Sequence, residues 1–99
     1  MRLLILLFLL LASGAGTAAE TRVLVIGDSL SAAYDMPTEQ GWVALLDERL
    51  GERAEVINAA ISGDTSASAR ARLPRALDAH APDVVIIAVG GNDGLRGIP

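Results

Sequence analysis

An apolar, largely β-branched run that ends in glycine, aspartate and serine is the feature that most constrains this chain. Residues 23–34 are Val-Leu-Val-Ile-Gly-Asp-Ser-Leu-Ser-Ala-Ala-Tyr. Four apolar residues followed by glycine predict a buried strand that ends in a tight turn carrying Ser29. A rigid strand below an exposed turn is a suitable support for a nucleophilic serine. The run therefore predicts that Ser29 is a candidate nucleophile at the end of a strand.

The first 19 residues have the pattern of a signal peptide. Arg2 supplies a positive charge, residues 3–12 are almost entirely apolar, and small residues at 17–19 precede Glu20. The apolar run is shorter than the roughly 20 residues that a transmembrane helix needs. A cleaved leader is therefore favoured over an uncleaved anchor, and we expect a periplasmic or secreted protein without a stable membrane anchor.

Composition excludes several kinds of partner. The 99 residues carry eight basic residues, all arginine, against twelve acidic ones, with a net charge of −4 and no cysteine. Because no basic stretch is present, nucleic acid and anionic membrane surfaces are not expected partners. No phosphate-binding glycine loop is present either, which makes a nucleotide-binding domain the weakest alternative. We expect no cofactor, no metal and a fold held by packing alone, and the oligomeric state stays open.

Strands and helices are predicted to alternate along the chain. The predicted strands are residues 21–26, 54–58 and 84–89, and the predicted helices are residues 41–50 and a helix from a cap at Asp64 or Thr65 to about His80. Pro74 predicts a kink or two short helices, and another helical segment is predicted to start at Leu95. This order predicts a three-layer α/β/α sandwich with a parallel sheet.

The apolar pattern also predicts which faces are buried. The third strand is apolar without alternation, which is typical of a parallel strand covered on both faces. The first helix is predicted to bury Trp42, Leu45, Leu46 and Leu50, with Trp42 as a core residue rather than a substrate platform. The second helix is predicted to bury Ala69, Leu73, Ala76, Leu77 and His80.

Three polar loops follow the three predicted strands, at Ser29, Gly63 and Asn92. Ligands in parallel α/β sheets bind beyond the carboxyl ends of the strands, so we expect these loops to share one edge. Attack of a serine hydroxyl on an ester carbonyl creates an oxyanion that needs fixed hydrogen-bond donors. The backbone N–H groups of Ser29 and Gly63 and the side-chain amide of Asn92 are suitable donors.

Each of these residues also has a simpler interpretation. Ser29 suits a helix cap, Gly63 suits a turn with positive φ, and Asn92 suits an ordinary turn.

Neighbouring side chains leave two further alternatives open. Asp28, Asp64 and Asp93 are interpreted as loop braces that accept backbone N–H bonds, with a hard-cation site as the alternative. Four apolar residues flank the polar edge, either as an acyl-chain groove or as core: Leu30, Met36, Leu95 and Ile98.

Three sequence blocks together resemble the GDSL, or SGNH, hydrolase family. Residues 27–31 are similar to its nucleophile block, residues 61–66 to its glycine block, and residues 90–97 to its asparagine block. The resemblance implies a flavodoxin-like SGNH fold, with Ser29 as the residue that carries the acyl group and with Gly63 and Asn92 as oxyanion donors. The last two blocks are most similar to those of exported bacterial members that act as arylesterases, acyl-CoA thioesterases or lysophospholipases. A small acyl ester or thioester is therefore the implied substrate.

Two departures from the family pattern are visible. Ala33 stands where many relatives have glycine, and we expect this departure to have a mild effect. The family's Asp-x-x-His block, which supplies the general base, has no match, because Leu77 stands three residues before His80, the only histidine. His80 is instead interpreted as a residue at the end of a helix, near the last carbonyls.

The missing block bears on what these residues can do. We expect residues 20–99 to be the N-terminal part of an SGNH hydrolase domain, truncated after its third strand, and the 99 residues alone to be inactive. The alternative is a non-catalytic lipid- or carbohydrate-binding module on the same fold.

Overall fold

A computed structural model describes residues 21–99, and the predicted signal peptide, residues 1–19, lies outside this range. β1 (Thr21–Gly27), β2 (Ala54–Asn58) and β3 (Val84–Ala88) form a parallel sheet in the order β2-β1-β3. The helices are α1 (Trp42–Leu50), α2 (Ser66–His80) and α3 (Gly91–Leu95), and short 3-10 helices span Thr38–Gln40 and Gly51–Arg53. None of the helices in this part of the chain is long and apolar enough to cross a membrane.

Strand β1 is the centre of the sheet and carries most of the core. Leu24 pairs with Ile57 of β2 and with Val85 of β3, and both partners pack on the cluster that Leu24 forms with Ala69 of α2. Because side chains alternate along a strand, Val23 and its partner Val56 face the opposite side. On that side a cavity is lined jointly by Val56 and by residues of α1. The two helices therefore cover opposite faces, which confirms the predicted α/β/α layers.

Helix α2 begins and ends at the predicted places. Thr65 accepts a hydrogen bond from the backbone N–H of Ser68, and the Ser68 hydroxyl accepts one from the N–H of Thr65, so the two residues form a capping box. The helix runs unbroken from Ser66 to His80 through Pro74, so the prediction of two short helices is wrong. Pro74 and Arg70, whose carbonyl loses its helical partner, are both exposed, so water can solvate that carbonyl.

The inner face of α2 is close to the predicted one. Ala69 is buried, and Leu73 and Ala76 are half-buried against the core, as predicted. Leu77 is 38% exposed, so its prediction as a buried residue is wrong. His80, the last residue of the predicted face, is half-buried.

Burial of β3 and α1 differs from the prediction. Ile87 of β3 is 59% exposed and Val84 is also exposed, so residues 21–99 by themselves do not cover β3 on both faces. Within residues 21–99 β3 is an edge strand, and α2 reaches only part of it. In α1 the buried residue is Val43, whereas Trp42 and Leu45 are exposed. Leu46 and Leu50 are half-buried, so the predicted face is partly right, but it is rotated toward Val43 and away from Trp42 and Leu45.

The last helical segment also lies elsewhere than predicted. Helix α3 begins at Gly91 and ends at Leu95, whereas the sequence predicted a helix starting at Leu95. Gly90 precedes it with φ +135°, a conformation that favours glycine, and this residue turns the chain directly from β3 into the helix. Asn92 therefore lies in the first turn of a helix rather than in an open loop.

Candidate active site

The turn after β1 presents Ser29 at the carboxyl edge of the sheet. The backbone carbonyl of Asp28 accepts hydrogen bonds from the N–H groups of Ser31 (3.1 Å) and Ala32 (2.9 Å), and the carbonyl of Ser29 accepts one from Tyr34 (3.1 Å). The buried carboxylate of Asp28 accepts the N–H of Leu30 at 3.1 Å. These bonds close the turn tightly around Ser29, which is half-buried at its start.

Ser31 anchors this turn to the rest of the fold. Its hydroxyl accepts the indole N–H of Trp42 at 3.0 Å, and its carbonyl accepts the side-chain amide of Asn58 at 2.9 Å. A Cβ atom on Gly27 would lie 2.6 Å from the Ser31 hydroxyl, so the strand end has no room for a side chain there. Trp42 is 36% exposed, so its prediction as a core residue is wrong: it braces the serine turn. Sequence analysis did not identify Asn58 as a residue that supports the site. The available signal was a polar side chain at the carboxyl end of β2.

Ala33, one turn further on, has φ +57°. A left-handed conformation favours glycine, which gives a physical reason why a glycine would suit this position.

The loop after β2 places Gly63 beside the end of β1. The N–H of Ile61 donates to the carbonyl of Gly27 at 3.0 Å, and the N–H of Asp64 donates to the carbonyl of Ile61 at 3.1 Å. Gly63 is exposed with φ +85°, so the interpretation as a turn residue with positive φ is confirmed. That conformation leaves the backbone at Gly63 open to a ligand.

The loop after β3 is tied directly to the loop after β2. The side-chain amide of Asn92 donates to the backbone carbonyl of Asp64 at 2.9 Å, and a guanidinium N–H of Arg96 donates to the carbonyl of Gly63 at 3.3 Å. The structure thus brings Gly63 and Asn92 together, and it places Ser29 at the same edge of the sheet. Their roles in chemistry stay predictions.

The three flanking aspartates are used as braces, with one difference. Asp28 and Asp93 accept backbone N–H groups as predicted, from Leu30 and Ser66. Asp64 instead binds side chains: Arg72 donates to one carboxylate oxygen and the Ser68 hydroxyl to the other. This difference arises because Arg72 of α2 reaches the loop after β2.

The carboxyl of Asp93 has a lowered pKa. The hydroxyl of Ser66 donates to one of its oxygens at 2.5 Å, and the backbone N–H of Ser66 donates to the other at 2.9 Å. The bond from the hydroxyl has the largest effect, followed by the bond from the backbone N–H; together with the charge of Arg96 they hold the pKa of Asp93 below its usual 3.8, against the opposing effect of burial.

Among residues 21–99 no cluster of three acidic or histidine side chains is arranged to hold a metal ion.

A cleft of about 360 Å³ opens next to the serine turn. Its lining residues come from the serine turn, from α1, from the end of β3 and from the segment that leads into α3: Asp28, Leu30, Ser31, Trp42, Ala88, Val89 and Gly91. Leu30 and Leu95 are 80% and 87% exposed, and Met36 and Ile98 are also exposed, so none of these four residues packs in the core that residues 21–99 form. Of the four, Leu30 lines this cleft, and an acyl-binding role for the group stays a prediction.

His80 lies at the other end of the sheet from Ser29. Its backbone carbonyl accepts a guanidinium N–H of Arg22 at 3.1 Å, and Arg22 is the second residue of β1. Seven residues of β1 span roughly 20 Å, and Ser29 follows their far end. His80 is the last residue of α2, as predicted, and it is too distant to act as a base for Ser29.

Comparison with known proteins gives matches along almost the whole chain. An arylesterase from Vibrio mimicus is 52% identical over 101 residues, with 99% of this chain and 50% of that protein covered. The thioesterase 1/protease 1/lysophospholipase L1 of Escherichia coli K12 is 50% identical over 91 residues, with 92% of this chain and 43% of that protein covered. This chain therefore spans about half the length of these relatives.

Structural comparison agrees with the sequence comparison. The crystal structure of TesA is 55% identical and superposes with a TM-score of 0.77, over 80% of this chain and 46% of that one. The parallel sheet and its helices are thus shared with a solved structure at high identity. The model of the GDSL-like lipase/acylhydrolase family matches residues 25–99. The chain belongs to this family of hydrolases.

Proposed function

We propose that this chain supplies the nucleophile and the oxyanion donors of an exported serine hydrolase that acts on carboxyl esters or thioesters. Ser29 Oγ would attack the acyl carbonyl carbon, and the backbone N–H groups of Ser29 and Gly63 and the amide of Asn92 would stabilise the oxyanion. The bond to the alcohol or thiol then breaks, the leaving group takes up a proton, and water hydrolyses the acyl-enzyme to a carboxylic acid.

The observation that carries this proposal is the hydrogen bond between Asn92 and the loop of Gly63. The amide of Asn92 has two hydrogens and donates one to the Asp64 carbonyl at 2.9 Å. The other hydrogen has no partner among residues 21–99 and would be the one offered to a ligand, and the bond to Asp64 holds the amide in place beforehand. A fixed, uncharged donor next to an open glycine backbone suits an oxyanion hole.

Names of the relatives support the substrate class. One relative is called an arylesterase, and another a thioesterase and lysophospholipase, so esters and thioesters are both within the proposal. The proposal includes an Asp-x-x-His block, outside these 99 residues, that provides the base. It also includes cleavage of residues 1–19 as a signal peptide, with export from the cytoplasm, and a small-molecule substrate.

Replacement of Ser29 tests the nucleophile. In the protein expressed from its whole reading frame, Ser29→Ala should lower hydrolysis of a p-nitrophenyl ester by at least about a thousandfold, because the acyl-enzyme cannot form. Thr21→Ala also removes a hydroxyl, from an exposed residue at the opposite end of β1, and as the control it should keep wild-type turnover. Wild-type turnover by Ser29→Ala would refute the assignment. A folded wild-type protein that binds acyl ligands without turnover would support the binding-module alternative instead.

A further inference from the structure

Arg72 of α2 joins three separate parts of the carboxyl edge. Its Nε and one terminal nitrogen donate to a carboxylate oxygen of Asp64 at 2.9 and 2.7 Å. Its other terminal nitrogen donates to the carbonyl of Ala59 at 2.6 Å. The terminal nitrogen that binds Asp64 also donates, at a longer 3.4 Å, to the carbonyl of Gly27. One guanidinium therefore connects the end of β1, the loop after β2 and helix α2.

Asp64, the main partner of Arg72, lies between the two candidate oxyanion donors. It directly follows Gly63 in the chain, and its backbone carbonyl accepts the side-chain amide of Asn92. Its carboxylate is buried, and the Ser68 hydroxyl donates to the oxygen that Arg72 leaves free. Asp64 is therefore linked to both candidate donors, to Gly63 by the peptide bond and to Asn92 by a hydrogen bond.

We propose that Arg72 is a positioning residue for ester hydrolysis: through Asp64 it holds the Gly63 N–H and the Asn92 amide in the geometry that the oxyanion requires. This inference rests on the proposed function. Donors act in catalysis only when they are held in place before charge develops. A planar guanidinium presents several donors in a fixed geometry, which suits a carboxylate and two carbonyls at set positions, whereas a lysine ammonium is a compact charge on a flexible stem.

Turnover measurements on the whole protein form the first test. Arg72→Gln should lower kcat for a p-nitrophenyl ester by about 10- to 100-fold while KM changes little, because displaced donors weaken the transition state more than the ground state. Arg72→Lys should recover part of the stability but little of kcat. Arg75→Gln, at an exposed position of the same helix, is the matched control. Each rate is measured where denaturation curves show the variant to be folded.

A tetrahedral inhibitor separates positioning from a purely structural role. An alkylboronic acid forms a tetrahedral adduct with a nucleophilic serine, and its affinity should fall in Arg72→Gln by about the same factor as kcat/KM. A brace that served only the fold would lower stability and leave this affinity unchanged in the folded fraction. Unchanged kcat and unchanged boronate affinity in folded Arg72→Gln would overturn the inference.

A measurement that does not need turnover distinguishes failure of this inference from failure of the proposed function. The side-chain amide resonances of Asn92, assigned with Asn92→Asp, should shift and exchange faster with solvent in Arg72→Gln than in Arg75→Gln. If they do not change, Arg72 does not position Asn92, whatever the activity. If they change in Arg72→Gln but the wild-type protein hydrolyses no ester, the proposed function fails while the structural coupling through Asp64 stands.

Discussion

Asp93 shows how one carboxylate holds a loop against a helix. It accepts both the hydroxyl and the backbone N–H of Ser66, the first residue of α2, and it is the neighbour of Asn92. A carboxylate at this end of a helix also interacts favourably with the helix dipole. Asp93 therefore fixes the start of α3, and with it the side chain of Asn92, on α2.

This bonding predicts a specific pH dependence. Because the hydrogen bonds to Ser66 lower the pKa of Asp93 below 3.8, the folded state prefers the ionised form more than the unfolded chain does. The stabilising contribution is fully present above pH 3.8 and is lost as the pH falls through the lowered pKa of the folded state. Asp93→Asn should therefore be less stable than wild type at neutral pH, and the difference should shrink in acid.

Denaturant unfolding between about pH 2 and pH 7 measures this effect. Asp78→Asn, at an exposed position of α2, controls for the loss of one negative charge. A difference between wild type and Asp93→Asn that stays constant across the range would contradict the prediction.

At the scale of elements, α2 connects the core to the site. On its inner face, Ala69, Leu73 and Ala76 pack against the core around β1. At its start, the N–H of Ser66 donates to Asp93, and from its middle Arg72 donates to the carbonyl of Ala59 in the loop after β2. Its end, in contrast, lies far from the site. Ala81 closes the helix with φ +43° and ψ +57°, a left-handed conformation in which its N–H donates to the carbonyl of Leu77.

Ala81→Gly should stabilise the protein. A non-glycine residue in the left-handed conformation costs about 1–2 kcal/mol, part of which is offset by the greater freedom of glycine in the unfolded chain. We expect the free energy of unfolding to rise by about 0.5–1 kcal/mol. Ala79→Gly, an exposed position inside the same helix, should lower it by about 1 kcal/mol. Urea denaturation measures the change in the free energy of unfolding for each variant. A loss of stability in both would show that the left-handed conformation of Ala81 is not strained.

At the scale of the whole molecule, one edge of the described sheet is formed by β3, which has a partner strand on one side only. Within residues 21–99 it pairs only with β1, and Val84 and Ile87, which lie on its two opposite faces, are exposed. Unpaired apolar strand edges associate readily with other chains. The core below is well covered, since Leu24, Val25 and Ile26 of β1 are almost fully buried. The chain therefore combines a complete central strand with an open edge.

Residues 21–99 expressed alone should associate through this edge. We expect concentration-dependent sedimentation, and Ile87→Lys should weaken the association about tenfold, because a charge opposes strand pairing at an edge. Leu95→Lys is the control, since Leu95 is more exposed than Ile87 but lies in α3, off the sheet. Equal effects of the two substitutions would indicate general hydrophobic association rather than pairing at β3.

Local patterns in the sequence determined the strands, the ends of α1 and α2, and the position of the candidate site. The run of residues 23–26, the cap at Thr65 and the stop near Ala81 are short-range features, so the sequence alone predicted them well. Parallel strands end at one edge, so the placement of Ser29, Gly63 and Asn92 at that edge followed from the order of elements.

Only the tertiary structure decided which side chains connect these loops. Arg72 reaches Gly27, 45 positions away, and Asn92 reaches Asp64, 28 positions away. The rotation of α1 that exposes Trp42, and the open face of β3, likewise depend on which elements pack against them. Such contacts carry no local signal, because residues far apart in sequence become neighbours only when the sheet assembles.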